Sequence, residues 1–281
     1  MFKLPTILVA GLIALGLSAP ALAQEHESVD IQKQHWSFAG LFGTYDQNQL
    51  QRGFQVFREV CANCHSARLL AFRNLAEPGG PQFSEEQVKA LAAEYEVADV
   101  DTDSGVRPAL PSDAWPNPFP TERDARDASG GTLPPDLSVI AKARKVDDKF
   151  PNWVFNYFTT YSEGGPDYIH ALLEGYEDTP PEDSGVPEGK YYNHVFPGHA
   201  IGMPPPLSDG QVAYANADGS AAPDDMLTVE QYSRDVSAFL MWLAEPHLNE
   251  HKAAGFRVVA FLLLFAGLMW FVKQRLWRRV H

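Results

Sequence analysis

Cys61-Ala62-Asn63-Cys64-His65 places two thiols three positions apart with an imidazole directly after the second. That spacing lets both sulfurs form thioethers to the two vinyl groups of a haem, while the adjacent histidine reaches the iron from one face. A thioredoxin-like redox pair would instead sit at a strand-to-helix junction in a βαβ setting. A cysteine-rich zinc site would need a second pair of thiols, and the chain has only these two cysteines. The motif therefore reads as the attachment site of one covalent haem c, with His65 as an axial ligand.

The residues leading into the motif read as a helix. Asp46 is an N-cap with Gln49 three positions on, and Leu50, Phe54, Phe57 and Cys61 follow at helical spacing beside Val60. Gly53 on the same run allows a close helix–helix approach. A second helix is expected from Thr228 to about Ala244. It opens on Thr228-Val229-Glu230-Gln231, carries Val229, Tyr232, Val236, Phe239, Leu240 and Leu243 on one face, and is ended by Pro246. The natural arrangement packs these two helices against each other.

Between them, residues 76–130 are acidic and broken by Pro and Gly, with one helical piece from Phe83 to about Tyr95 introduced by Ser84. Leu133-Pro134-Pro135-Asp136-Leu137-Ser138 reads as a rigid turn into a short helix that ends near Lys145. Phe150 to Phe158 and Tyr168 to Leu173 supply two more short helices. Gly130-Gly131 and Gly164-Gly165 read as turns, and residues 177–189 as loop. The fold class is all-α.

Both ends lie outside this core. Residues 1–23 have the form of a secretory signal: a positive start at Lys3, an apolar stretch from Leu4 to Leu17, and Ala21-Leu22-Ala23 before Gln24. At the other end, residues 253–272 are free of charge except for Arg257, and twenty helical residues span ~30 Å, about one hydrocarbon core. The basic tail at 273–281 then places the C-terminus in the cytoplasm by the positive-inside rule. The expected division is a signal peptide at 1–23, a periplasmic haem domain at 24–252, an anchor at 253–272 and a tail at 273–281, in the cell inner membrane.

The exported segment is strongly acidic. Six of the 22 basic residues lie outside it and none of the 36 acidic ones does, which leaves a formal charge of −20. Such a surface excludes a general nucleic-acid binder. The acids cluster at Glu85-Glu86, from Glu94 to Asp103, and at Glu177, Asp178, Glu182 and Asp183. They solvate the surface or steer a cationic partner.

The second axial position has several claimants. Met241 sits on the last soluble helix as core filling, and Met226 near its start reads as a surface or capping residue. Met203 lies in Phe196-Pro197-Gly198-His199-Ala200-Ile201-Gly202-Met203-Pro204-Pro205-Pro206, too proline-rich for helix or strand and able to hold a ligand rigidly. His199 and His194 are its rivals. An iron ligated on both faces transfers electrons but offers no open site, which argues against an oxidase, a peroxidase or a gas-binding role.

With these features in place, the chain resembles the cytochrome c1 family, the haem subunits of bacterial quinol–cytochrome c oxidoreductase (bc1) complexes. The likeness rests on the haem motif with Ser66, on Arg73, on Leu133 to Ser138, on Ala143-Arg144 and Gly175-Tyr176, on the Phe196-to-Pro206 loop, and on Trp242, Glu245 and Pro246 before the anchor. It implies a class I cytochrome c-like domain with long insertions. It implies thioethers at Cys61 and Cys64, iron ligation by His65 and Met203, a propionate partner in Arg144, a haem wall of Pro134 and Pro135, and a pocket aromatic in Tyr176. It further implies a relay, not an enzyme by itself, that takes single electrons from a Rieske iron–sulfur protein. The relay sits beside cytochrome b in a dimeric complex, in the lipid membrane, and passes electrons to a cationic or tethered cytochrome c. The alternatives are a mono-haem subunit of a terminal oxidase and a non-redox structural or signalling haem subunit. Some bacterial members carry a disulfide near the segment Tyr161 to Tyr168; here no cysteine remains to make one, and that stretch is expected to be held by packing alone.

Overall fold

A computed structural model describes residues 31–144, 154–156, 161–181, 184–215 and 220–278. The expected signal segment at 1–23, Lys145, most of Phe150 to Phe158, the acidic pair Glu182 and Asp183, and Arg279 lie outside the described residues.

Helix α1, Gln47–Glu59, starts where Asp46 accepts a hydrogen bond from the Gln49 amide (2.7 Å), and it buries Leu50, Gly53, Phe54, Val56 and Phe57. The helix expected at the C-terminal end of the haem domain, Val229–Ala244, is capped by Thr228, which accepts from the Gln231 amide. These two helices cross at Gly53, where a Cβ would overlap the Asp235 carbonyl and lie 2.7 Å from the Phe239 Cβ. Phe239 then packs on Phe54 and Phe57 at centroid distances of 5.6 and 5.3 Å. Each fully buried Phe contributes about 1.5–3 kcal/mol relative to exposure. Asp235 is wholly buried at this crossing, and Arg52 neutralises it by donating at 2.8 and 3.1 Å.

The long segment after the haem motif is more ordered than its composition suggests. Helix α2, Glu85–Ala92, is capped reciprocally by Ser84 and Gln87 and stops before Tyr95. A hairpin follows, β1 Glu96–Ala98 antiparallel to β2 Val106–Pro108, then α3 Glu122–Ala128 with a Thr121–Asp124 capping box. No periodic pattern announces three-residue strands; Arg107 holds this pair by bridging Asp99 (3.1 Å) and Asp113 (2.6 Å). Trp115 ties the segment to the core through Phe54, Phe57, Phe72 and Tyr95.

Helix α4, Ile140–Ala143, packs against α5, Gly164–Glu174. Gly164-Gly165 therefore begins a helix rather than making a turn. A Cβ at Gly165 would overlap the Ala141 carbonyl, so only glycine lets the two backbones meet. Polar bonds as well as packing hold the Tyr161-to-Tyr168 stretch. Buried Asp167 accepts from the Trp36 indole (2.7 Å), the Gln34 amide (2.9 Å) and the Tyr161 hydroxyl.

A two-residue pair, β3 Tyr191–Tyr192 with β4 Ala200–Ile201, follows the region read as loop, so the Met203 loop does contain strand. The Val229–Ala244 helix, α6, is buried nearly all round because α1, α4 and α5 surround it. Met241 is core, as expected. Met226 sits half-buried against the core in a 3₁₀ turn, Asp224–Met226, two residues before the Thr228 cap. Finally, α7, Leu248–Trp277, continues out of the domain as a thirty-residue helix with its apolar side chains exposed.

Candidate haem site

Helix α1 delivers the motif directly. Its last turn gives way to a 3₁₀ turn, Cys61–Asn63, in which the Cys61 carbonyl accepts from the Cys64 and His65 amides at 3.1 and 2.9 Å. The tightened turn sets both sulfurs and the imidazole on one short stretch. Before haem attachment, burial, helped by the nearby Cys64 sulfur, pushes the Cys61 thiol up to about 12.

The His65 ring is oriented from across the fold. Its Nδ1 donates to the Pro135 carbonyl at 2.8 Å, which fixes the proton there and leaves Nε2 as the free lone pair. Burial holds this imidazole below the ordinary histidine value, against the opposing influence of the Pro135 carbonyl and Asp136, and so favours the neutral ligand form. A neutral imidazole with one nitrogen bonded to the backbone and the other open has the chemistry of a haem ligand, and with two neighbouring thiols the residues fit the group. Bound there, haem supplies a one-electron ferric/ferrous couple.

Asp136 is the part of this turn whose role the sequence does not reveal. It accepts from Ser66 (2.8 Å), the Arg68 amide (3.1 Å) and the Ser138 amide (2.8 Å), while the Leu137 amide donates to the Ser66 carbonyl. Although burial opposes its charge, the hydrogen bonds from Ser138, Ser66 and Arg68 keep the carboxyl below its usual range. The Pro134-Pro135 turn is thereby clamped to the chain just after His65. Beside Cys64 a cleft opens, lined by Leu133, Pro134 and Pro118 to Thr121.

The Met203 loop abuts the same turn. A Cβ at Gly202 would press on Thr132, two residues before Pro134, so the loops touch. The Tyr176 hydroxyl donates to the Met203 carbonyl at 3.1 Å. Asn193, fully buried, has no motif to single it out in the sequence, yet it organises the loop. Its side chain donates to the Leu172 carbonyl and accepts from the Val195 and Phe196 amides. An asparagine shortly before a Pro-Gly turn is a recognisable local signal, but its tie to α5 is not. Both rival histidines have other company. His199 lies over the Tyr192 ring with Nδ1 3.3 Å from the Asn193 carbonyl, and His194 faces Glu177 at 3.2 Å. Arg144 is exposed at the end of α4, its charge felt by Tyr168.

The model of the Cytochrome C1 family matches residues 36–280. The chain belongs to the cytochrome c1 family. It is 48% identical to a Blastochloris viridis cytochrome c1 over 97% of this chain and 94% of the relative, and 42% identical to that of Rhodospirillum rubrum over 98% of both. It is also 51% identical to a Bradyrhizobium diazoefficiens protein named cytochrome b/c1, of whose length it spans only 39%. The chain is thus a membrane-anchored c-type cytochrome of the bc1 complex with one covalent haem, an electron-transfer subunit rather than a catalyst by itself. Its haem domain is periplasmic, and α7, the one helix among the described residues long and apolar enough to cross a membrane, is its inner-membrane anchor. The terminal-oxidase alternative gives way to this family membership.

Proposed function

We propose that His65 Nε2 and the Met203 thioether ligate the iron from opposite faces, with thioethers at Cys61 and Cys64. In this reading Arg144 pairs with a propionate, and Pro134, Pro135 and Tyr176 wall the pocket. The observation that carries it is the pair of loops in contact at Gly202 and Thr132, one locking the His65 tautomer and the other tethering Met203 through Tyr176. His199 and His194 also use only Nδ1, toward Asn193 and Glu177, so the preference for Met203 rests on its tethered, proline-bracketed loop. Thioether ligation raises the potential relative to bis-histidine, which suits a late carrier. The described haem domain would take electrons one at a time from a Rieske protein beside cytochrome b, in a dimeric complex, and pass them to a cationic or tethered cytochrome c. The chain would begin, after removal of residues 1–23, at Gln24.

Met203→Leu tests the ligand set. The haem should stay attached, the low-spin six-coordinate spectrum should be lost, and the midpoint potential should fall. A spectrum and potential equal to wild type would reject Met203 and return His199 or His194.

A further inference from the structure

Residues 37–44 form a closed loop at the point where the haem domain meets its anchor. The Thr44 amide donates to the Ser37 carbonyl at 3.0 Å, and the Ala39 amide to the Trp36 carbonyl at 3.1 Å. The base is rigid. Phe38 is buried, stacked on Trp36 at 5.4 Å and tilted against Tyr45 at 5.0 Å. Tyr45 in turn donates through its hydroxyl to the Met241 and Glu245 carbonyls, both at 3.2 Å. The tip is the opposite: Leu41 is 62% and Phe42 79% exposed.

That tip belongs to the anchor's surroundings. The Phe42 ring packs edge-on to Phe256 of α7 at 6.2 Å, and the Lys252 amine donates to the Phe38 and Gly43 carbonyls at 2.5 and 3.2 Å. Phe256 lies three residues beyond Ala253, about 5 Å along the helix axis into the apolar run. The loop's backbone is thus held at the level of the last cation before that run, with the Phe42 ring alongside the first turn of the span and exposed Leu41 next to it in the chain.

We propose that Leu41 and Phe42 insert into the outer leaflet as a second membrane contact, which fixes the tilt of the haem domain over the bilayer. The occupant is lipid because the patch is continuous with the exposed apolar surface of Phe256, Val259 and Leu263 on the anchor itself. A single helix sets distance from the membrane but leaves the domain free to lean about its exit point; a wedge beside the helix removes that freedom. The inference rests on α7 spanning the bilayer.

The test uses the full haem-loaded chain with Phe42→Cys, where the native cysteines are consumed by haem and the new thiol alone takes a nitroxide. The protein is placed in phosphatidylcholine/phosphatidylglycerol vesicles, and spin relaxation by oxygen, which concentrates in lipid, is compared with relaxation by a water-soluble nickel chelate. Val100→Cys, 96% exposed on the hairpin, reports water, and Phe265→Cys reports the mid-anchor. The oxygen-to-nickel ratio at position 42 should be several-fold above that at 100 and approach that at 265. A ratio equal to that at 100, with 265 reading lipid, overturns the wedge while leaving the anchor intact. Water at 265 overturns both. In the intact complex in nanodiscs, an immobilised label shielded from both reagents assigns the patch to a neighbouring subunit and likewise overturns the proposal.

Discussion

Gly53→Ala isolates the crossing on which the haem domain is built. By helix propensity alone the substitution stabilises by about 1 kcal/mol. The new methyl, however, would overlap the Asp235 carbonyl and stand 2.7 Å from the Phe239 Cβ, where carbon contacts want about 3.5–4.0 Å. Backbone cannot rotate away, so α1 and α6 must part by about 1 Å. Overpacking of this kind costs about 1–3 kcal/mol. Loosening the Phe239 contacts with Phe54 and Phe57 adds part of the roughly 0.5–1.5 kcal/mol that each aromatic pair contributes. Set against the propensity gain, the net loss is about 2 kcal/mol, a roughly 30-fold rise in the unfolding equilibrium constant. Guanidinium titration of the haem-loaded protein in mild detergent, followed by Soret circular dichroism, measures it. Gly255→Ala, a helical position with open space around it, serves as control. A Gly53→Ala protein more stable than wild type by about 1 kcal/mol would show that propensity governs and that the helices do not meet here.

Four further outcomes follow from other parts of the molecule. Buried His170 bonds Ser233 through Nδ1 (2.8 Å), and burial, with Arg234, pushes its pKa down from 6.5 to about 4. The unfolded chain therefore takes up this proton near the ordinary value of about 6.5 while the folded one does not. Stability should fall as pH drops from 6.5 toward about 4, and His170→Asn should flatten that slope in denaturation curves. Asn193→Ala should leave haem attached but shift the visible haem spectrum or the midpoint potential, because the Met203 loop loses three side-chain hydrogen bonds; unchanged values would count against the hub. Asp136→Asn should weaken the clamp on Ser66 and Arg68 and lower thermal stability, read by the loss of Soret circular dichroism on heating. Electron transfer to a cationic cytochrome c should slow steeply from low to ~0.1 M salt, where fields decay over about 10 Å. Glu94 is already paired with Arg58, and Asp99 with Arg107, so Asp101→Asn with Asp103→Asn is the sharper neutralisation of that cluster. Salt dependence identical in variant and wild type would move the docking site elsewhere.

Haem attachment, the two principal helices and the anchor were legible in the sequence because each is written in neighbouring residues. Cys61, Cys64 and His65 act within five positions. Asp46 and Thr228 cap helices by bonding amides three residues on, and a long, nearly uncharged apolar run identifies a span without reference to anything else. Gly53 was readable as a close approach, though its partner was not. Other features depend on residues far apart in the chain: the tautomer of His65 on a carbonyl seventy positions away, the Asp136 clamp, the Asn193 hub, and the start of α5 at Gly164. A lone aspartate or asparagine, or a pair of glycines, has the same local signature in a turn as at a packed junction. Their roles emerge only when the fold brings a particular carbonyl or amide within about 3 Å, because hydrogen bonds and steric contacts fall off over a single atomic diameter and leave no periodic trace in the chain.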